Sequence, residues 1–282
     1  MRGLYLRHEY REGTWTVTIL DKIIDDKRLE VEQRKAQADL EELKARVQGM
    51  EKCRNFHKAV TKPNPRGVNV IAEVKKASPS AGVIREDFEP VQIAQTYERC
   101  GADALSVLTD EKYFQGRLEY MQQIKEVVSL PILRKDFIID TWQVYESRAA
   151  GADAILLIAE ALKPGELMDL MILAGELTLT SLVEVHEADT LLTVRSMIGF
   201  PKKFYNLIGI NNRDLKTMKV DIKNTARLAE LVENKRELVA ESGIRSRDDV
   251  EKIIQAGAGA VLIGQTLCEQ QDIEEKFREL FG

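Results

Sequence analysis

The fold is decided by a five-residue stretch, GADAL at residues 101–105, because two close copies of it follow along the chain. The copies are GADAI at 151–155 and GAGAV at 257–261, which lie 50 and then a further 106 residues downstream. Each copy ends a segment of helical period and begins a short apolar run. One βα unit takes about 25 to 30 residues, so these spacings are close to two and four units. We expect each Gly to end its helix in a left-handed cap, and each following Ala to let the next strand enter closely.

Eight short apolar runs, separated by longer segments of helical period, extend this pattern over most of the chain. Most runs are continuously apolar, which is typical of a parallel sheet buried on both faces. Eight such units without a long interruption predict a (β/α)8 TIM barrel rather than an open doubly wound sheet. The lack of GxGxxG after the first strand also argues against a dinucleotide-binding sheet. The predicted strands are 69–74, 104–108, 132–135, 154–158, 181–185, 206–210, 238–240 and 260–263.

The composition narrows the class of protein. The 282 residues suit one barrel domain, and a net charge of −5 with dispersed Lys and Arg argues against a nucleic-acid partner. Cys53, Cys100 and Cys268 contain no CxxC pair and indicate reduced thiols, while the three histidines show no metal-ligand spacing. No apolar run reaches membrane-spanning length and the N-terminus lacks the apolar core of a signal peptide, so we expect a cytoplasmic protein without a membrane partner.

The residues before the first strand divide into two segments. Residues 1–16 have mixed charge and no clear period, and they form an N-terminal extension whose role stays open. Residues 17–66 are expected to form an N-terminal helical segment that caps the barrel of residues 67–282, within a single domain. The charged part at 28–46 predicts a solvated amphipathic helix rather than a partner-binding surface. No exposed apolar stripe outside the helices requires a partner, so a monomer is expected.

Charged and polar side chains gather at the predicted carboxyl ends of the strands, where barrel enzymes hold their active sites. Any one of these groups could belong to an inert buried ion pair. Their occurrence at most of the strand ends favours a functional site, because so many ion pairs would add little stability. The side chains are Glu73, Lys75, Lys135, Glu184, Asn211 and Glu241.

Two glycine-containing turns predict a phosphate site. They follow the seventh and eighth strands, where barrels often bind a phosphate through backbone N–H groups and the start of a short helix, here expected near 266–270. Ser78 and Arg213 could add a hydroxyl and a guanidinium. The turn residues are Ser242, Gly243, Gly264 and Gln265.

At these positions the sequence resembles the indole-3-glycerol-phosphate synthase family. The resemblance rests on IAEVKKASPS at 71–80, LTDEKYF at 108–114, LRKDF at 133–137, IGINNRDL at 208–215 and AESGI at 240–244. It extends from about residue 17 to the C-terminus. It implies a carboxy-lyase of tryptophan biosynthesis that converts 1-(2-carboxyphenylamino)-1-deoxyribulose 5-phosphate to indole-3-glycerol phosphate, CO2 and water, with no cofactor and no metal.

The resemblance also implies residue roles. Lys135 would protonate the ketone oxygen during ring closure, and Glu184 would be the base of the dehydration. Lys75 would hold the substrate carboxylate, Glu73 would orient the lysines, and Asn211 and Glu241 would position the substrate hydroxyls and catalytic groups. The phosphate would be bound by Ser78, Arg213, Ser242, Gly243, Gly264 and Gln265. The side chains of Phe114, Phe137 and Leu215 would contact the anthranilate ring. The alternative for these three residues is ordinary packing in the core.

Proton transfer near neutral pH gives one further expectation. A neighbouring lysine or burial should lower the pKa of one of the two site lysines towards the working pH.

Two positions depart from the family pattern. Ala81 stands where many members have Lys, so the loop after the first strand would grip the substrate differently. Gln265 stands where small or acidic residues are frequent.

Two other functions are alternatives for such a barrel. A phosphoribosylanthranilate isomerase would need a Cys base at the first strand, where this chain has Glu73 and Lys75. A catalytically inactive binding barrel would be expected to have lost one of its charged strand-end residues.

Overall fold

Eight parallel strands close into a barrel in which each strand pairs with the next along the chain and the last pairs with the first. The computed structural model describes residues 9–11, 14–16, 18–198, 205–214 and 217–282. The predicted strands and the TIM barrel are confirmed, with changes of one residue at three strand ends. The strands β1 to β8 are Asn69–Val74, Ala104–Leu108, Ile132–Lys135, Ala154–Ile158, Thr180–Val185, Asn206–Asn211, Leu238–Glu241 and Ala260–Ile263.

Both faces of each strand are buried, which explains why the runs are continuously apolar. Along β1, Ile71 belongs to the cluster inside the barrel, whereas Val70 and Ala72 belong to the cluster between barrel and helices. Successive side chains of a strand alternate between its faces. Glu73, two residues after Ile71, therefore points into the barrel, and Lys135 does so two residues after Leu133 of the inner cluster. The inward layer at the carboxyl ends is thus polar, while the layer beneath it is apolar.

Helices surround the barrel and connect its strands. The three repeats follow helices in the way that was predicted, since Gly101, Gly151 and Gly257 have φ of +85°, +91° and +88°. Two 3-10 helices lie at Ala159–Ala161 and Lys235–Glu237. The helices α1 to α13 are Ile19–Lys35, Leu40–Gln48, Phe56–Thr61, Pro90–Arg99, Glu111–Phe114, Leu118–Val127, Thr141–Ala149, Pro164–Glu176, Ala188–Val194, Lys223–Ala229, Arg247–Ala256, Gln265–Cys268 and Ile273–Phe281.

Within the described ranges, two short antiparallel pairs of strands lie outside the barrel. Glu9–Arg11 pairs with Thr14–Thr16 near the N-terminus. Ala77–Ser78 pairs with Gly82–Val83 in the loop after β1. The second pair sets the course of the chain beside the carboxyl end of the barrel.

The N-terminal helices contact both ends of the barrel. Helix α1 lies at the carboxyl ends of the strands, where Lys27 forms ion pairs with Asp110 and Asp136. Helix α3 lies at the amino ends, where Phe56 and Val60 close the inner apolar cluster. The charged stretch 28–46 is an amphipathic pair of helices, α1 and α2, with a break between them. Their apolar side chains contact Trp142 of α7.

No helix within the described ranges is long and apolar enough to cross a membrane.

Candidate active site

Most of the predicted site residues line one pocket at the carboxyl ends of the strands. Thirteen of the fifteen residues lie in its wall. Glu241 is buried beside the pocket and approaches Lys135, while Leu215 lies outside the described residues. The structure therefore brings the predicted residues together, and the individual roles stay predictions. The thirteen are Glu73, Lys75, Ser78, Phe114, Lys135, Phe137, Glu184, Asn211, Arg213, Ser242, Gly243, Gly264 and Gln265.

Lys135 is held by carboxylates from neighbouring strands. Its Nζ lies 3.1 Å from Glu184 Oε2 and 3.8 Å from Glu241 Oε2. Burial opposes its positive charge, but Glu184, Glu241 and Glu73 together raise the pKa of Lys135 above its ordinary value. The prediction of a lowered lysine pKa is wrong for Lys135. The physical reason is that the nearest charged groups are carboxylates and not another lysine.

Glu184 and Glu241 are neighbouring carboxyls with opposite pKa shifts. Burial opposes ionisation of Glu184, but Lys135, His186 and a 3.1 Å hydrogen bond from Asn211 Nδ2 hold its pKa below the ordinary value. Burial and the charge of Glu184 raise the pKa of Glu241 well above that value. The opposite shifts favour a carboxylate at Glu184 and a protonated carboxyl at Glu241, which separates a base from a proton donor.

A glycine makes room for the carboxyl of Glu241. A Cβ atom built on Gly209 in β6 would lie 2.1 Å from Glu241 Oε1, far inside van der Waals contact. Glu241 is 2% exposed, so its carboxyl is closely surrounded by protein. Gly209 is therefore required by the site although it does not line the pocket.

Glu73 and Lys75 form a second charged pair at the end of β1. Lys75 Nζ contacts Glu73 Oε1, and Ser106 Oγ donates to Glu73 Oε2 at 3.2 Å. A Cβ atom on Gly264 would lie 2.5 Å from Glu73 Oε1, so Gly264 leaves space for this carboxylate. Glu73 is buried, while Lys75 is partly open to the pocket.

The opposite part of the pocket is built for an anion. Ser242 and Gly243 have φ of +67° and +82°, and this turn opens the backbone beside the pocket. Burial and the neighbouring Arg245 lower the pKa of Arg213, so two guanidiniums lie near each other. Arg245 also lines the pocket and was missed from the sequence, although it comes two residues after the glycine turn. Two cations and a glycine turn favour a doubly charged group such as a phosphate.

The bounds of the short helix differ slightly from the prediction, and the role of Ser78 stays a prediction. Helix α12 spans Gln265–Cys268 rather than 266–270. Ser78 Oγ accepts from the N–H of Ala81 at 3.3 Å within the pair of short strands after β1. Position 81 thus supports the loop through its backbone, and it offers no side-chain cation.

The apolar part of the pocket receives side chains from α1 as well as from the barrel. Phe114 and Phe137 contact each other with ring centroids 6.1 Å apart. Sequence reasoning missed the remaining apolar wall, because the amphipathic period of α1 predicts an apolar face but not the surface it covers. The missed apolar residues are Ile19, Leu20, Ile23, Leu108, Leu156, Ile158, Met218, Val220, Ile244, Leu262 and Ile263.

A buried network of charges joins α1 to the strand end that bears Lys135. Lys27 Nζ lies 2.9 Å from Asp110 Oδ2 and 3.0 Å from Asp136 Oδ1. Arg134 lies 3.0 Å from Asp136 and 2.8 Å from Glu146. Burial opposes ionisation of Asp136, but Lys27 and Arg134 keep its pKa below the ordinary value. The network fixes the backbone next to Lys135 and ties it to the helix over the pocket.

The three cysteines are free thiols, as predicted, and the buried Cys268 Sγ donates to the backbone carbonyl of Glu73 at 3.3 Å. Among the residues that the structure describes, no group of three or more His, Cys, Asp or Glu side chains is arranged to hold a metal ion.

The sequence matches the family model described as indole-3-glycerol phosphate synthase over residues 20–280. Curated relatives with that name include a protein of Geobacillus kaustophilus, 48% identical over 94% of this chain and 97% of its own length. A relative from Rhodopirellula baltica is 45% identical over 91% of this chain and 96% of its own length. One from Geobacillus thermodenitrificans is 51% identical over 82% and 87% of the two chains.

Solved structures with low sequence identity share the fold alone. A crystal structure of 3-hexulose-6-phosphate synthase has a TM-score of 0.61 at 11% identity and covers 76% of this chain and 98% of that chain. A chain from the tryptophan synthase α2β2 complex of Pyrococcus furiosus has a TM-score of 0.54 at 12% identity and covers 76% and 97% of the two chains.

Proposed function

Because the chain belongs to the indole-3-glycerol phosphate synthase family, we propose that its pocket binds 1-(2-carboxyphenylamino)-1-deoxyribulose 5-phosphate and closes the indole ring there. The chain is a carboxy-lyase of tryptophan biosynthesis that forms indole-3-glycerol phosphate with loss of CO2 and water. What remains to be assigned is the part that each residue takes in this reaction.

One observation carries the assignment: the pocket is lined by two pairs of cations and by apolar side chains. Lys75 and Lys135 both lie close to Glu73, and Arg213 lies close to Arg245. A substrate with a carboxylate at one end and a phosphate at the other needs cations at two separated points. The phenylalanine side chains supply the apolar contact that an anthranilate ring needs. The pocket therefore matches the substrate in charge and in polarity.

Ring closure is assigned to Lys135 as the general acid. The surrounding carboxylates keep Lys135 protonated in the empty pocket. As the aromatic carbon attacks the ketone, its oxygen gains negative charge and takes the proton from Nζ. Lys75 holds the carboxylate on the attacked ring carbon. That carboxylate leaves as CO2, and the electrons of the broken bond restore the aromatic ring.

Dehydration is assigned to Glu184 as the base. Its lowered pKa keeps it ionised, and Asn211 holds its carboxylate in place. A weakly basic carboxylate is a poor base while Lys135 stays 3.1 Å away. When Lys135 has given up its proton, the neighbouring positive charge is gone and the basicity of Glu184 rises. The two halves of the reaction are thereby coupled through this one contact.

The phosphate is assigned to the turn at Ser242 and Gly243 together with Arg213, with Ser78, Gly264 and Gln265 completing the surroundings. These groups bind a part of the substrate that does not react. Their contribution is nearly the same in the bound substrate and in the transition state.

The activity is tested by adding the carboxyphenylamino-deoxyribulose phosphate and following indole fluorescence. We expect product to accumulate with the purified chain and not with the Lys135→Ala variant. Phosphoribosylanthranilate added in its place should not be converted, which distinguishes the isomerase alternative. Absence of product with the intact chain would refute the proposal.

Several sequence-based predictions stay predictions. These are the cytoplasmic location, the monomeric state, the absence of a nucleic-acid partner, and the division at residues 16 and 66.

A further inference from the structure

His186 connects Glu184 to a second cleft behind the wall of the substrate pocket. It directly follows β5, and its Nε2 lies 3.3 Å from Glu184 Oε1. On the other side of the ring, Nδ1 lies 3.0 Å from Glu160 Oε2. The imidazole thus bridges two carboxyl groups that belong to different strand ends. His186 itself is not part of the wall of the substrate pocket.

Glu160 holds His186 from the side of the second cleft. It lies in the 3-10 helix Ala159–Ala161 after β4, and its Oε1 accepts from the backbone N–H of His186 at 2.8 Å. The exposed fraction of the side chains rises from 2% at Glu184 to 8% at His186 and 19% at Glu160. Leu20 and Asn211 line both clefts and form the wall between them. The three groups therefore lead from the buried site towards solvent by a path that avoids the substrate.

The electrostatics favour a protonated imidazole. Burial opposes the charge, but Glu160 and Glu184 raise the pKa of His186 against the smaller opposing effect of Lys135. Asn224 of α10 donates to the backbone carbonyl of His186 at 3.1 Å and adds no charge. Nε2 makes no well-aligned hydrogen bond in spite of its closeness to Glu184. The proton on Nε2 is therefore the more weakly held of the two.

The reaction of the proposed function needs such a source of protons. The substrate carboxylate leaves as neutral CO2 and the hydroxyl leaves as water. Two protons are spent on the departing oxygen, first as the ketone becomes a hydroxyl and then as the hydroxyl becomes water. The base recovers only one proton in the dehydration. Each turnover therefore takes up one proton from solvent.

We propose that Glu160 and His186 deliver this proton to Glu184, and through it to Lys135, from the second cleft; the inference rests on the proposed function. Nε2 of the imidazolium gives its proton to Glu184, which passes it to the neutral amine of Lys135. A half-turn of the imidazole about its Cβ–Cγ bond then presents the deprotonated nitrogen to Glu160. Glu160, protonated by solvent, restores the imidazolium. In the dehydration Glu241 gives the second proton to the departing hydroxyl, and Glu184 returns the proton that it takes from the substrate to Glu241, with which it shares a side-chain hydrogen bond. The proton that has entered from water restores Lys135, so the balance closes.

The proposal is tested by comparing the first turnover with later ones. The raised pKa values of Lys135 and Glu241 favour a proton on each group in the resting enzyme, so we expect the first turnover to need no supply. With enzyme in excess, His186→Ala should form product at a rate within about two-fold of wild type. With substrate in excess, kcat should fall on the order of ten-fold or more while KM stays similar. Added imidazole should restore kcat in proportion to its concentration.

Two further variants make the test specific. Glu160→Gln keeps an acceptor for the backbone N–H of His186 but cannot carry the proton, so it should show the same loss of kcat with an intact first turnover. His57→Ala is the matched control, because His57 Nε2 also lies 3.3 Å from a carboxylate, Glu237, but at the other end of the barrel. It should leave both rates unchanged, with or without imidazole.

The outcomes separate the two proposals. Unchanged kcat in His186→Ala and Glu160→Gln would overturn the proton route while the activity stands. An equal loss in the first and later turnovers, without rescue by imidazole, would overturn it in favour of a structural role. Absence of turnover by the wild-type chain would overturn the proposed function and this inference together.

Discussion

At the residue scale, the environment of Lys135 sets the conditions under which it can act. Acidic side chains, with Glu184 as the largest influence, raise its pKa, so it is protonated in the empty pocket but holds its proton tightly. A substrate oxygen that approaches Nζ replaces part of the contact with Glu184. The acid therefore becomes effective only when the substrate is in place, which limits proton loss from the empty enzyme.

Replacement of Lys135 by alanine should remove the chemistry and leave most of the binding. We expect kcat of Lys135→Ala to fall by roughly 100-fold to 10000-fold, because that is the usual contribution of general acid catalysis. Steady-state kinetics and substrate titration of the variant measure the two effects separately. Lys163→Ala is a control on an exposed helix start and should match wild type. Near-normal activity of Lys135→Ala would disprove its role.

Replacement of Arg213 by alanine should have the opposite pattern. Binding of a non-reacting phosphate is uniform between ground and transition state, so we expect KM to rise about ten-fold or more and kcat to change little. The measurement is a full substrate dependence of the initial rate. Arg99→Ala, which removes an exposed guanidinium from the end of α4, is the control. An unchanged KM would count against the phosphate role.

The position of a site residue could be predicted where it belongs to a strand. Its contacts could not be predicted where they depend on the distance between separate segments of the chain. Glu73, Lys135 and Glu184 could be placed because strand period and the barrel rule put them in the inward layer at the carboxyl ends. The direction of the pKa shift of Lys135 could not be predicted, because the shift depends on the distance from Lys135 to acidic side chains of other strands. The contact of His186 with Glu160 likewise joins two strand ends that lie 26 residues apart.

At the element scale, α1 is joined to the barrel by a buried cation. Lys27 is 2% exposed and lies between Asp110 and Asp136, which follow β2 and β3. Burial opposes its charge, but Asp136, Asp110 and Glu30 raise the pKa of Lys27. A helix with apolar residues on the pocket and a fixed cation at its centre is held in one position.

Removal of this cation should destabilise the fold. Lys27→Met leaves two buried carboxylates without their partner, and we expect the free energy of unfolding to fall by about 3–5 kcal/mol. Urea unfolding followed by circular dichroism measures it. Lys22→Met, on the exposed face of the same helix, should change it by less than about 0.5 kcal/mol. A loss below about 1 kcal/mol in Lys27→Met would show that the network is not an anchor.

The strands could be predicted from local pattern, but the path of the N-terminal helices could not. The break between α1 and α2 contains neither Pro nor Gly, and its only local signal is Asp39, whose side chain caps α2. The helical period of the sequence therefore predicted one continuous helix across this break. Which apolar face lies on the pocket is decided by Lys27 and its distant partners, and periodicity carries no information about them.

At the scale of the whole molecule, the site makes the stability of the fold depend on pH. The folded pKa values of Glu184 and Asp136 lie below their ordinary values of 4.5 and 3.8. Their contribution to the free energy of unfolding is present above those values and is lost as pH falls through the lower folded ones. For Glu241 and His186 the folded pKa is raised, so their contribution is lost as pH rises above the ordinary values of 4.5 and 6.5. The stability should be greatest in mildly acidic solution.

The Glu241→Gln variant isolates one part of this dependence. Because the folded pKa of Glu241 is raised, folding at pH 8 carries a free-energy cost at this carboxyl, and glutamine carries no such cost. We expect the Tm of Glu241→Gln to exceed wild type by at least about 2 °C at pH 8 and to match it at pH 4. Thermal unfolding at both pH values tests this, with the exposed Glu230→Gln as control. A lower Tm at pH 8 would contradict the assigned pKa shift.

The close contact between Gly209 and Glu241 has a consequence for recognising active homologues in genomes. A single methyl group at position 209 would occupy the place of the Glu241 carboxyl oxygen, 2.1 Å away. A gene that encodes alanine there could retain each lysine and glutamate of the family signature and still encode an inactive barrel. A diagnostic pattern based on the charged residues alone would count such a gene as a functional synthase. The glycine, which has no side chain and no chemistry of its own, belongs in that pattern.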